Sequence, residues 1–413
     1  MRTSIGAVLA VLALSSAACA SESVESTIDT QASPSPTVVE PAVELQTTRV
    51  VDEPVSETST TAPVRTALEC AEEIPLEIRI GQLLFPIVVQ AELDDAAALA
   101  EHGLIAGVVV LGSPTPAIAD DIEVLQQRSM VTPSIVAVDE EGGRVQRLDE
   151  LVGALPSARS VARDLTLEEA QDLAQSHAEA IGALGFTMNL APVVDLDTGE
   201  FIRDRSYGAD PDRVTDYAFA TADGILAAGL TPVVKHFPGH GPAADSHTGL
   251  PTLPDLETLR SSDLVPFIRA IERGDLPVMV GHLVVPGLTN GKPATLSAEA
   301  IDGLLRSELG FDGLVMTDAL NMDAIAKTTN NADAAEQALV AGADLVMLGR
   351  LADVETAVAQ LVDAVVSGRL PEATVNSSVL RVLDVRGIPL CSLPADLLPA
   401  IGCRSGVGGC TSG

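Results

Sequence analysis

The chain has 413 residues, 46% of them hydrophobic, enough for a sizeable core in either two average domains or one large one. Its formal net charge of −34 repels nucleic acid and anionic lipid, so neither is expected as a partner. With no Trp and only two Tyr, the chain lacks the usual stacking surface for long polysaccharides, which points towards a small pocket.

The first residues read as an export signal. Arg2 supplies positive charge, and Ile5 through Leu14 form an apolar stretch too short to span a bilayer. Ser15-Ser16-Ala17-Ala18-Cys19 follows and looks like a lipobox. On this favoured reading residues 1–19 end at a lipidated Cys19, which ties the protein to the outer leaflet of the cytoplasmic membrane. The alternative is cleavage after Ala20 and free secretion. Residues 20–66, rich in Ser, Thr, Pro, Glu and Val, have no helical period and cannot bury enough apolar surface to fold. They are expected to be a disordered tether. Cys70, Cys391, Cys403 and Cys410 remain, an even number that suggests two disulfides with three pairings open. Residues 391–413 read as a Cys- and Gly-containing tail.

Between them, residues 67–390 are expected to form one catalytic domain. Short apolar runs alternate there with amphipathic stretches. The runs are 83–89, 107–111, 134–139, 187–192, 231–236, 277–282, 314–318 and 344–348. Helices are predicted over 167–184, 212–228, 297–309 and 332–341, the third opening on Ser297 as its cap. Continuous apolar strands alternating with helices imply a parallel sheet covered on both faces. Eight such units predict an α/β fold of the (β/α)8 TIM-barrel type. An open doubly wound sheet is the alternative, disfavoured by the lack of a Gly-rich dinucleotide loop.

Active sites in such folds lie at the carboxyl ends of the strands. The third run ends in Asp139, the fourth leads to Asp195 and Asp197, the fifth ends in Lys235-His236, the sixth in His282 and the seventh in Asp318. Surface charges on helices would not be placed this way. The densest signal is Lys235-His236-Phe237-Pro238-Gly239-His240-Gly241 followed by Asp245-Ser246-His247, which holds three of the six His residues. Pro238, Gly239 and Gly241 break any helix here, so these His residues lack the one-face spacing of a helical zinc motif. No metal is expected.

These motifs resemble glycoside hydrolase family 3, in its β-N-acetylglucosaminidase branch. So do Val138-Asp139-Glu140-Glu141-Gly142-Gly143-Arg144-Val145-Gln146-Arg147, Asp204-Arg205-Ser206 and the stretch from Phe311 to Leu320. The resemblance spans roughly residues 75–385, with the motifs in the family's order. It implies that Asp318 is the nucleophile of a retaining hydrolysis, forming a covalent glycosyl-enzyme. It implies that His247, oriented by Asp245, is the acid/base, since an imidazole can donate and then accept a proton near neutral pH. Asp139, Arg147, Arg205, Lys235 and His236 match the residues that hold the sugar. Gly239, Gly241 and Gly249 are expected to let the loop move.

Plainer roles compete for several residues. Asp318 could cap the next helix. Arg144 reads as one half of a structural ion pair, and Glu140 and Glu141 as supporting or solvated. His282 is pocket wall or packing, His240 structural within its loop, and His102 and His177 surface residues. The activity implied is exo-cleavage of terminal β-linked N-acetylglucosamine from muropeptides or other glycans, by a monomer with no cofactor. A phosphorylase or β-glucosidase on the same fold is the alternative, because a His acid/base would let phosphate approach the intermediate. A glycan-binding lipoprotein without activity is the non-enzymatic one.

Overall fold

The computed structural model describes residues 67–389. Residues 1–66, with Cys19 and the tether, and Cys391, Cys403 and Cys410 lie outside that range. Cys70 is disulfide-bonded.

Nine short strands are formed among the described residues, and every pairing between them is parallel. They are β1 (Leu84–Val89), β2 (Gly107–Leu111), β3 (Ile135–Val138), β4 (Met188–Asn189), β5 (Thr231–Pro232), β6 (Val234–Phe237), β7 (Val278–Val280), β8 (Val315–Thr317) and β9 (Val346–Leu348). The first sheet runs β5-β4-β3-β2-β1-β9 and the second β6-β7-β8. Single parallel bridges join Val193 to Lys235 and Met316 to Leu345. β5 and β6 are two halves of one extended run interrupted at Val233, so the eight predicted apolar runs each contain one strand or this pair.

The runs are continuous because the strands are buried on both sides. Every residue of β3, β6, β7, β8 and β9 is buried, which removes the polar–apolar alternation of a one-sided sheet. Helices cover them. Leu167–Ala183 opens on a reciprocal cap, Thr166 Oγ1 accepting from the Glu169 N–H while Glu169 accepts from the Thr166 N–H. Its buried stripe is Ala170, Ala174 and Ala178, at i, i+4 spacing. That stripe lets helix Pro211–Ala227 come close: a Cβ on Gly224 would sit 2.3 Å from the Gln171 carbonyl. The helix predicted over 297–309 is present as Glu299–Glu308, but wound more widely. Its Gly303 N–H and the Leu309 N–H beyond it reach back five residues, to Ala298 and Leu304. Ser297 Oγ accepts from the Ala300 N–H at 3.3 Å, the capping role expected of it.

Buried polar groups fasten the ends of strands to the helices. Asp344, wholly buried before β9, accepts from Arg306 at 2.6 Å, Ser378 at 2.8 Å, Arg381 at 3.0 Å and the Val315 N–H at 2.9 Å. No helix of the described residues is long and apolar enough to cross a membrane.

Candidate active site

Parallel strands place all their carboxyl ends on one side, so residues that end or follow different strands can meet there. Asp139 follows β3, Lys235 and His236 lie in β6, and Asp318 follows β8. All four line one cavity with Arg147, Arg205 and His247. Asp245 does not line it; it stands behind His247. Lys235 and His236 are neighbours and would normally point to opposite faces of a strand. The pairing of β6 with β7 shifts register between Lys235 and Phe237, and such an irregularity can re-aim a side chain.

The floor of the cavity is a buried charge network. Lys235 Nζ donates to Asp139 Oδ1 at 2.5 Å and lies 2.6 Å from Glu141 Oε1. Arg205 grips Glu141 with two bonds of 2.7 Å each, the bidentate geometry that suits guanidinium and carboxylate. Burial disfavours a charged Glu141, but Arg205 and Lys235 overcome it and hold its pKa far below the usual carboxylate range. Burial likewise opposes charge on Lys235, and Asp139 and Glu141 reverse that, raising its pKa. Arg147 approaches Asp139 at 3.9 Å, and its buried Nε has no hydrogen-bond partner among the described residues.

A second pair orients His236. Asp195 accepts from His236 Nδ1 at 2.6 Å and from the backbone N–H groups of His236 and His240 at 3.1 and 2.7 Å. Burial works against ionised Asp195, but His236 and the other donors hold its pKa low. His236 Nδ1 therefore carries a proton, and Nε2 points towards Arg205 Nη2, 3.4 Å away.

His247 is 64% exposed at its side chain and rests on Asp245. Asp245 Oδ1 accepts from both the His247 backbone N–H and Nδ1, each at 2.8 Å, leaving Nε2 free. Slight burial raises the Asp245 pKa less than these bonds lower it. Phe201 lies between the two loop histidines, 4.9 Å from the His240 ring and 6.2 Å from that of His247. Asp318 Oδ1 accepts from the Ala319 N–H at 2.7 Å. Burial raises its pKa, but His282, His236, the Ala319 N–H and Lys235 outweigh that and keep it below the ordinary value. The carboxylate is thus charged at neutral pH.

Of the two roles expected for Glu140 and Glu141, supporting or solvated, both take the supporting one, with side chains 0% and 3% exposed. Glu140 accepts from the N–H groups of Arg147 and Leu148 at 2.7 and 3.2 Å and shapes the loop that carries Arg147. His177 is not a surface residue: its side chain is 9% exposed and lies 3.4 Å from Glu140. Gly239 and Gly241 are points of close approach rather than hinges. A Cβ on Gly239 would meet Asp263 Cβ at 2.4 Å, and one on Gly241 would meet the Leu196 carbonyl at 2.5 Å. Of these three loop glycines, only Gly249 has open space around it. Arg144 pairs with Asp204 at 2.8 Å, as expected. His240 is buried within its loop, yet it also lines the cavity. Among the described residues no group of three or more His, Cys, Asp or Glu side chains is arranged to hold a metal.

A parallel α/β sheet that gathers an ionised carboxylate, a His–Asp pair and paired cations at one set of strand ends defines an enzyme of the polar-pocket type. The chain belongs to glycosyl hydrolase family 3: residues 75–385 match that family's N-terminal domain, and the protein is a glycoside hydrolase. It is 39% identical over 322 residues to the beta-hexosaminidase LpqI of Mycobacterium tuberculosis, covering 75% of this chain and 82% of that one. A family 3 glycosyl hydrolase structure from Mycobacterium smegmatis superposes with a TM-score of 0.72 at 39% identity, over 76% of this chain and 98% of the other. The β-N-acetylglucosaminidase of a Paenibacillus species superposes with a TM-score of 0.72 at 36% identity, over 82% of this chain and 66% of the other.

Proposed function

We propose that this chain is an exo-acting, retaining β-N-acetylglucosaminidase that removes terminal β-linked N-acetylglucosamine from muropeptides or related glycans. The observation that carries the reading is one cavity lined by both a charged Asp318 and the free Nε2 edge of a His247 held by Asp245. In the first step Asp318 attacks the anomeric carbon as the bond to the leaving oxygen breaks. Protonated His247 gives that oxygen its Nε2 proton, and Asp245 stabilises the imidazolium through Nδ1. In the second step neutral His247 takes a proton from water, which attacks the same carbon and frees Asp318. Asp139, Arg147, Arg205, Lys235 and His236 hold the sugar hydroxyls and the acetamido group. The fold that accompanies this reading is a (β/α)8 barrel. It is supported by the parallel pairing of β1 through β5 and of β6 through β8 in chain order, by the pairing of β9 with β1, and by the single bridges Val193–Lys235 and Met316–Leu345 that join the two sheets.

Release of 4-nitrophenol from its N-acetyl-β-glucosaminide, with and without phosphate, tests this. Wild type is expected to release it at a rate indifferent to phosphate. Asp318→Ala is expected to lose about four orders of magnitude or more, the scale of losing a covalent nucleophile. A well-folded wild type that releases nothing would end the assignment, and formation of a sugar 1-phosphate would make the enzyme a phosphorylase.

The apolar stretch Ile5–Leu14 and the small residues before Cys19 support anchoring at the extracytoplasmic face of the membrane. Cys19→Ala expressed in the native host should then move the enzyme out of the membrane fraction. An unchanged distribution would favour cleavage after Ala20.

A further inference from the structure

The sixth apolar run ends in a histidine that the mechanism above does not use. His282 is fully buried two residues after β7 and does not line the cavity. Its two nitrogens are nevertheless both engaged. Nε2 lies 2.9 Å from the Ala319 carbonyl and Nδ1 lies 2.7 Å from Thr295 Oγ1. A carbonyl can only accept, so Nε2 carries the proton and donates it to Ala319. Burial lowers the pKa of the ring more than Asp318 and the Ala319 carbonyl raise it, with His236 and His247 adding to the lowering. Thr295 Oγ1 donates to the Gly281 carbonyl at 2.8 Å, so the hydroxyl ties His282 Nδ1 to the backbone just after β7.

The residue that His282 grips is the one next to Asp318. Ala319 gives its carbonyl to His282 and its N–H to Asp318 Oδ1 at 2.7 Å. From the other side, the Asp318 N–H donates to the Val280 carbonyl of β7 at 3.0 Å. The two peptide groups flanking the Asp318–Ala319 step are thus fastened to the neighbouring strand and its histidine. One carboxylate oxygen is occupied, while Oδ2 makes no hydrogen bond among the described residues.

We propose that His282 is a positioning residue for the nucleophile: anchored by Thr295, it fixes the Ala319 backbone so that Oδ1 of Asp318 stays bonded and Oδ2 is the atom presented to the sugar. This rests on the assignment of Asp318 as nucleophile. An ordinary core histidine would support stability and sugar binding alike. A positioning histidine acts on the attack itself, because a carboxylate misaimed by about 1 Å can cost about 10²-fold in rate.

The test compares His282→Gln, His282→Leu and Thr295→Val in the full chain, with 4-nitrophenyl N-acetyl-β-glucosaminide as substrate and free N-acetylglucosamine as competitive inhibitor. Gln can still donate to the Ala319 carbonyl and Leu cannot. His282→Leu is expected to lower kcat about 10²-fold while the inhibition constant stays within about threefold, and His282→Gln to regain about tenfold of the loss. Should the Leu variant fail to fold, Thr295→Val carries the test, with kcat down about tenfold at unchanged KM. A kcat within about threefold of wild type in whichever of these two variants folds overturns the proposal. So do Gln and Leu variants that lose kcat and inhibitor binding in equal proportion. Asp318→Gly with added azide separates the two assignments. If no α-glycosyl azide forms, the nucleophile assignment fails and this one falls with it. If it forms while the His282 variants are unimpaired, only the positioning role is wrong.

Discussion

Glu141 holds two cations with one carboxylate: Arg205 through both oxygens and Lys235 through one. Both cations line the cavity, so their places depend on a residue that does not touch it. Glu141→Gln would leave Lys235 with Asp139 and Arg205 with an uncharged partner. Removing one member of a buried ion pair typically costs about 3–5 kcal/mol, and loss of alignment at the sugar-holding end adds a fall in kcat/KM of about 10²-fold. Urea denaturation and steady-state kinetics of the variant check both; a change under about 1 kcal/mol would mean the network relaxes around the amide. The sequence made Asp139 legible and Glu141 obscure for a physical reason. A strand end marks Asp139, whereas Glu140 and Glu141 follow in a loop that has no period, so nothing local tells which of them faces the cations. The signal that could have found Glu141 was Lys235 itself. A Lys inside an apolar strand needs a buried counter-charge, and Asp139, Glu140 and Glu141 form the acidic cluster at another strand end. Asp195 was noticed as a strand-end acid, but its grip on His236 depends on a contact 41 residues away that no spacing rule supplies.

The loop after β6 makes its demands on glycine through space rather than motion. At Gly241 an added methyl group would meet the Leu196 carbonyl, which is backbone, at 2.5 Å and Asp263 Oδ1 at 2.7 Å. Gly241→Ala should therefore displace the loop that carries His240 and leads into Asp245–His247. A loss of about 1–3 kcal/mol, as for overpacking in a core, with about 10²-fold in kcat, is the expected result. Gly249→Ala is the control: nothing lies within 4 Å of its added methyl, so stability should change by less than about 0.5 kcal/mol. Thermal melts and kcat on the pair check this, and equal behaviour of the two variants would restore the hinge reading of Gly241. At this scale much was readable from the chain. All eight apolar runs became strands, because two-sided burial writes itself as an unbroken apolar stretch. All four predicted helices lie within two residues of their expected limits. What the periodicity could not hold was the wide winding of Glu299–Glu308: over ten residues an i→i+5 pattern and an i→i+4 pattern bury nearly the same apolar positions. The hub at Asp344 was equally hidden, since its donors come from three separate segments of chain.

The whole molecule's response to pH follows from groups that titrate differently when folded. Two of them sit in or against the catalytic loop and pull in opposite directions. His240 is buried beside His236, and its pKa falls from 6.5 to about 4. Between those values the unfolded chain binds a proton that the folded one does not, so this group makes stability fall as pH drops from about 6.5 to about 4. Asp263 is buried beneath Gly239 and Gly241 with Oδ1 unpartnered, and its pKa rises from 3.8 to about 6. In nearly the same window the folded chain holds the extra proton, so this group makes stability rise as pH drops. Each shift is two to three pH units, or about 3 kcal/mol at 1.36 kcal/mol per unit. These two slopes nearly cancel, so the wild-type dependence in this window is left to buried His282, whose lowered pKa makes stability fall as pH drops below about 6.5, and to the relief of self-repulsion as the large negative charge titrates away. Asp263→Asn removes one slope and leaves the other. The variant should match wild type near pH 4, where Asp263 is protonated in the folded state, and gain on it steadily up to about pH 6.5, by roughly 2–3 kcal/mol. Self-repulsion is common to both proteins and drops out of the difference. Urea denaturation of the two proteins at half-unit intervals from pH 4 to 8 measures that difference directly. A constant offset across the range would mean that Asp263 is ionised in the folded protein throughout, and that the close contact under the loop tolerates a buried charge.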